Sequence, residues 1–112
     1  MENINWNDFE KIEMRVGTIV TAKDFPEAIK PAYQLEVDLG DEIGIKQSSA
    51  QITRLYSKEE LVGKQVVAVV NLKPKKIGQF ISECLITGFY IDKEAVILAS
   101  PDKKIENGLR LA

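Results

Sequence analysis

The sequence predicts an all-β fold built as a small antiparallel barrel. About five or six short segments show strand patterns, and turn residues separate them at regular spacing. Helical patterns are confined to two short stretches, and the alternating strand–helix units of a doubly wound sheet are missing. A length of 112 residues fits one domain, so residues 1–112 are expected to form a single unit.

The N-terminal part predicts one helical turn and then a strand. In NWNDFEKIE, Asn7 is the expected cap of the turn and Glu10 its capping-box partner. The next stretch, IEMRVGTIVTA, alternates, and Gly17 within it indicates a bulge or a sharp bend. The residues expected on one face of this strand are Ile12, Met14, Val16, Thr18 and Val20.

The middle of the chain predicts two more strands after the proline-containing loop FPEAIKPA. YQLEVDLG alternates most clearly, and the side chains expected toward the core are Tyr33, Leu35, Val37 and Leu39. IGIKQSSA returns as the next strand. Its polar run, residues 47–49, has poor strand propensity and indicates either a bulge or a functional rim.

The C-terminal part predicts a short helix and the remaining strands. YSKEELVG has Ser57 as the helix cap, Glu60 as the capping-box partner and Gly63 as the stop. KQVVAVVNL is apolar throughout and is expected to be buried on both faces, while DKE joins the strands ECLITGFYI and AVILAS. This order of elements suits an OB-fold, a five-stranded barrel with short capping helices.

Composition excludes most catalytic and metal chemistry. The chain has no histidine and one cysteine, Cys84, so it lacks the commonest general base and the ligands of a structural zinc site. We therefore expect no enzyme activity, cofactor or metal, and Cys84 is expected to be an inert core thiol. The acidic, polar N-terminus is not a secretory signal, no apolar run is long enough to span a membrane, and a reducing cytoplasm is the expected compartment.

Charge is distributed unevenly along the chain. Residues 43–82 carry seven basic and two acidic groups, whereas the chain as a whole has a net charge of −2. This asymmetry is typical of a basic surface on an acidic protein, and it is also compatible with chance clustering on a solvated face.

The stretch NLKPKKIGQFIS, residues 71–82, is called the lysine segment below. It follows the most apolar strand and reads as a loop beside an OB-fold binding face. Its lysines, Lys73, Lys75 and Lys76, suit phosphate, and short polar side chains nearby suit sugar or base edges. Phe80 is either a stacking surface or a core residue.

Three longer stretches resemble the tRNA-binding domain family: DFEKIEMRVGTIVTAKDFPEA, YQLEVDLGDEIGIKQSSAQI and NLKPKKIGQFISECLI. Within that family, GIKQSSAQITRLYSKEELVGKQVVAVVNL is most similar to the CsaA branch of export-related chaperones. The resemblance implies an OB-fold and an RNA-contact pattern that falls on Lys46, Ser48, Ser49, Asn71, Lys73, Pro74, Lys76 and Ser82. Synthetase-type members carry the glycine of this loop one position later than Gly78.

The resemblance also implies partners. They are tRNA or similar structured RNA, unfolded preproteins or peptides, the secretion motor ATPase and a second copy of the chain. The N-terminal segment 4–9 and the C-terminal segment 99–112 are expected to form much of the homodimer interface. The apolar residues assigned to it are Ile4, Trp6, Phe9, Pro101, Leu109 and Leu111.

Overall fold

A computed structural model describes residues 1–112 as nine strands and three short helices. The strands are β1 (Met14–Asp24), β2 (Tyr33–Asp38), β3 (Ile45–Ala50), β4 (Gln65–Val69), β5 (Lys75–Ile77), β6 (Phe80–Ser82), β7 (Leu85–Ile86), β8 (Gly88–Asp92) and β9 (Ala95–Leu98). The helices are α1 (Trp6–Glu10), α2 (Gly40–Ile43) and α3 (Lys58–Leu61). None of the helices is long and apolar enough to cross a membrane.

Five strands form the barrel sheet, in the order β3-β2-β1-β4-β7 with every neighbouring pair antiparallel. The two end strands approach each other where the Gln47 carbonyl accepts from the backbone N–H of Glu83 at 2.8 Å and of Cys84 at 3.3 Å. These bonds nearly close the sheet into a barrel. The all-β prediction and the OB-type barrel with short helices are confirmed.

One hydrophobic core fills the barrel, and β2 supplies its centre. Leu35, Val37 and Leu39 are fully buried, and Tyr33 is nearly so, as the alternation of YQLEVDLG predicts. The apolar strand β4 is buried from Val66 to Val69, because both of its faces are covered. Helix α3 begins at the predicted cap, with Ser57 Oγ accepting from the Glu60 N–H.

Strand β1 departs from the predicted face. Its pairing with β2 shifts register between Ile19 and Thr21, which places Ile19 in the core and leaves Val20 exposed. Gly17 lies before this bulge and is a packing position, because a Cβ there would come within 2.6 Å of Val37 Cγ1.

Two other local predictions are wrong. Helix α1 is capped by Asn5, which forms the capping box with Asp8, so Asn7 lies inside the helix. The stretch ECLITGFYI is divided into β7 and β8 instead of forming one strand. The division occurs at Thr87, whose N–H donates to Val67 while its carbonyl accepts from Ala99.

The two ends of the chain meet at the start of β1. The C-terminal segment pairs with β1 through Val16 N–H to the Leu109 carbonyl and Leu111 N–H to the Met14 carbonyl, both at 3.0 Å. Arg110 Nη2 donates to the Glu10 carbonyl at 2.9 Å, which ties the same segment to α1.

Candidate nucleic-acid interface

Most of the lysine segment, residues 75–82, is a β-hairpin and not the loop that the sequence predicts. Strands β5 and β6 pair with Lys75 opposite Ser82 and Ile77 opposite Phe80. The turn between them starts at Gly78, whose φ of +61° is the left-handed conformation that glycine adopts freely. The early glycine is therefore the residue that lets the two strands turn back on each other.

The hairpin is fixed to the barrel through its second strand. Ser82 Oγ accepts from the backbone N–H of Ser49 at 3.0 Å, and Glu83 Oε1 accepts from the N–H of Gln47 at 3.0 Å. Residues paired across antiparallel strands share one side of the ribbon. Lys75 therefore lies on the same side as Ser82, the side that faces β3, while Lys76 lies on the opposite side with Ile81.

A continuous polar surface results from this register. Gln34 pairs with Ser49 across β2 and β3. The backbone N–H of Ser49 donates to Ser82 Oγ, and Ser82 in turn pairs with Lys75 across the hairpin. Gln34 projects outward because its neighbours Tyr33 and Leu35 point into the core. This surface, from Gln34 to Lys75, is called the outer face below.

The three lysines of the hairpin region carry free charges. Lys73, Lys75 and Lys76 are exposed, as is Pro74 between the first two, and none of the three lysines forms a salt bridge within the chain. Ammonium groups in this state are available to an external anion without breaking an internal pair.

Two of the predicted contact residues lie elsewhere. Ser48 is a core residue with 1% of its surface exposed, so its side chain is not on the outer face. Lys46 pairs with Val37, which places it on the core side of β3, half-buried at the end of the barrel. The structure thus separates Lys46 and Ser48 from Ser49, although the three are almost adjacent in sequence.

Asn71 has a structural role that the sequence does not reveal. Its Oδ1 accepts from the Glu13 N–H at 2.9 Å and its Nδ2 donates to the Lys11 carbonyl at 2.7 Å. Both ends of the amide are therefore occupied by the segment between α1 and β1. Asn71 therefore fixes the base of the lysine segment, and one N–H of Nδ2 and one lone pair of Oδ1 are left on this exposed side chain.

Arg15 and Cys84 behave as structural residues. Arg15 binds Glu13 Oε1 at 2.6 Å and donates to the Gly108 carbonyl at 2.8 Å. Burial raises the pKa of the Cys84 thiol to about 11, with the charge of Glu83 adding to the shift and Ser48 and Lys46 opposing it. A thiol with this pKa remains protonated and unreactive near neutral pH.

A groove lies at the side of the barrel, between the end of β3 and the strands β7 to β9, and is called the side groove below. Its volume is about 780 Å³. The sequence alone does not indicate this groove, because its walls come from four separate stretches of the chain. The apolar side chains that line it are Ala50, Ile52, Leu85, Ile86, Tyr90 and Val96, and its charged rim consists of Lys30, Lys93 and Asp92. Asp92 is already paired with Arg54 at 3.2 Å.

Comparison with known proteins agrees with this architecture. Residues 14–110 match the family model of the putative tRNA binding domain. The structure is similar to the chaperone CsaA from Bacillus anthracis, with a TM-score of 0.94 and 43% identity over 99% of this chain and 100% of that one. It is also similar to the CsaA chaperone from Picrophilus torridus, with a TM-score of 0.91 and 52% identity over 98% and 100% of the two chains.

Curated relatives are much longer proteins. The methionine–tRNA ligase of Thermococcus kodakarensis is 38% identical over 99% of this chain but over only 14% of its own length. The chain therefore spans about a seventh of the curated relatives that it matches. It belongs to the putative tRNA binding domain family, and its architecture is a nearly closed five-stranded antiparallel barrel.

Proposed function

We propose that the chain binds tRNA or similarly structured RNA, without catalysing a reaction, through the lysine segment and the outer face. The observation that carries this proposal is the register that aligns Lys75 with Ser82, Ser49 and Gln34 on one surface. Lys76, on the opposite side of the hairpin, and Lys73, just before it in the chain, supply further unpaired positive charge. Lysines supply sequence-independent attraction to phosphate, while hydroxyl and amide groups suit sugars and base edges.

Membership of the tRNA binding domain family supports the choice of tRNA as the ligand. The net charge of −2 predicts modest affinity with strong dependence on salt, because only the lysine region attracts the polyanion. The contact set that we propose is Ser49, Lys73, Pro74, Lys75, Lys76 and Ser82. Asn71 is proposed to act indirectly, by holding the base of the segment in place.

The test is a titration of labelled bulk tRNA against the wild type and the Lys73→Glu/Lys76→Glu double variant. Reversing two charges introduces repulsion where attraction is proposed, so we expect binding to be lost at moderate salt. Sedimentation and thermal unfolding should be unchanged, since both side chains are exposed. Equal affinity of the two proteins would place the RNA interface elsewhere.

A second candidate function is the holding of unfolded preproteins or peptides for export, with the secretion motor ATPase as a further partner. Two observations favour it. Two of the structural relatives are CsaA chaperones, and the side groove offers about 780 Å³ with apolar side chains at six of its thirteen lining positions. Phe89 and Ile91 are each 66% exposed on β8, and strand alternation turns them to the face opposite groove-lining Tyr90, where they form a separate apolar patch.

Salt distinguishes the two functions. Phosphate contacts weaken steeply as salt is added, whereas apolar contacts persist. Peptide binding that survives high salt, together with negligible tRNA binding, would make the chaperone function the leading one.

We also propose a cytoplasmic homodimer of single-domain subunits. The N- and C-terminal segments lie side by side and expose Ile4 and Trp6 from one and Leu109 and Leu111 from the other. Phe9 and Pro101 are half-buried in the same two segments. Large apolar side chains concentrated on two touching segments are typical of a subunit interface.

A further inference from the structure

A second, smaller pocket adjoins the outer face. It has a volume of about 340 Å³ and lies between the loop that follows β1 and the turn of the β5–β6 hairpin. Its lining residues are Phe25, Glu27, Gln34, Gln79 and Phe80. Gln34 belongs to the outer face, and Phe80 is two residues from Ser82 on the same side of β6, so the pocket continues that face directly.

The pocket has an aromatic floor and a polar rim. The ring of Phe80 is half-buried and packs at 5.3 Å, centroid to centroid, against the ring of Phe25, which is almost fully buried. Around these rings stand one carboxylate, from Glu27, and two side-chain amides, from Gln34 and Gln79. No lysine or arginine lines the pocket.

This chemistry suits a nucleobase and disfavours a phosphate. The carboxylate of Glu27 repels an anion, whereas it accepts hydrogen bonds from N–H groups. Amides donate and accept along a base edge, and an aromatic ring supports an unstacked base. Phosphate attraction is available a few residues away at Lys75, on the same side of the hairpin.

We propose that this pocket receives one unpaired base of the bound RNA, which stacks on Phe80 and is read by Glu27. Guanine is the preferred base, because its Watson–Crick edge presents two adjacent N–H donors to a carboxylate. Adenine and cytosine each offer an amino group, and uracil offers none. This inference rests on the proposed RNA function in one respect: contacts between the lysines and the RNA phosphates would bring the base to the pocket.

Uncharged nucleosides test the pocket independently of the lysines. Guanosine, adenosine, cytidine and uridine are titrated into the isotope-labelled full chain, and chemical shift changes at Gln79 and Phe80 are followed. Guanosine should bind most tightly and uridine least. The same titrations use Phe80→Leu, Glu27→Gln and, as a charge-matched control in α3, Glu59→Gln.

Each variant has a distinct expected result. Phe80→Leu keeps apolar volume but removes the flat ring, so all four nucleosides should bind at least about fivefold more weakly. Glu27→Gln should lower the guanosine preference and leave uridine binding unchanged, while Glu59→Gln should behave as wild type. Because Glu27 is exposed, its replacement tests the pocket even where Phe80→Leu disturbs the hairpin.

Two results would overturn the proposal. One is the absence of shift changes at the pocket with every nucleoside, and the other is equal binding of guanosine and uridine that Glu27→Gln does not alter. Failure of the proposed RNA interface has a different signature, in which nucleosides are discriminated but Lys73→Glu/Lys76→Glu leaves tRNA affinity intact.

Discussion

Neutralising two lysines of the lysine segment should change the salt dependence of RNA binding by a calculable amount. Lys73 and Lys76 are exposed and unpaired, so each is free to contact one phosphate. Each contact contributes roughly 0.7 to 0.9 to the slope of log affinity against log salt. The Lys73→Gln/Lys76→Gln variant should therefore have a slope shallower by about 1.4 to 1.8 than the wild type.

Fluorescence anisotropy of labelled bulk tRNA over a salt series measures this slope. The matched control is Lys103→Gln/Lys104→Gln, which removes the same charge from the C-terminal segment. That segment is held at the beginning of β4, where Gln65 Nε2 donates to the Ile105 carbonyl, whereas the lysine segment follows the end of β4. Equal slopes for the two variants would mean that net charge, and not the position of the lysines, controls binding.

Three further predictions concern the fold. Gly17→Ala should lower the free energy of unfolding in urea by about 1 to 3 kcal/mol, because a Cβ would lie 2.6 Å from Val37 Cγ1 and 2.7 Å from Leu39 Cδ2. A variant as stable as the wild type would show that β1 shifts to make room for the methyl group. Cys84 should resist a thiol-specific disulfide reagent at pH 8 until the chain unfolds, because a thiol with a pKa of about 11 is almost fully protonated at pH 8. Rapid reaction of the folded protein would contradict the burial of Cys84. Removal of residues 1–9 should give a monomer or an unstable protein by sedimentation, and a stable truncated dimer would exclude this segment from the interface.

The sequence predicts the core of the barrel well, because local pattern and tertiary burial agree there. The alternation around Leu35 places four residues correctly, and Ser57 with Glu60 marks the start of α3. These signals are local: a strand with one buried face must alternate, and a helix must satisfy its first N–H groups.

The candidate site is less predictable, because it depends on pairing between distant segments. The run of proline and lysine after Asn71 is typical of a loop, yet Ser82 Oγ holds it as a hairpin against Ser49. Ser48 and Ser49 look equivalent in sequence, but the register of β3 with β2 buries the first and exposes the second in part. The amide of Asn71 is occupied by residues nearly 60 positions away, which no local pattern indicates.

Hydrogen–deuterium exchange of the full chain with and without bulk tRNA is the measurement that tests the proposed interface most directly. Exchange reports which backbone segments become protected, without any substitution in the protein. The proposed interface predicts protection centred on residues 71–82 and on β3 near Ser49, and this protection should disappear when salt is raised. Protection confined to the side groove or to the terminal segments, with the lysine segment exchanging as in the free protein, would contradict it.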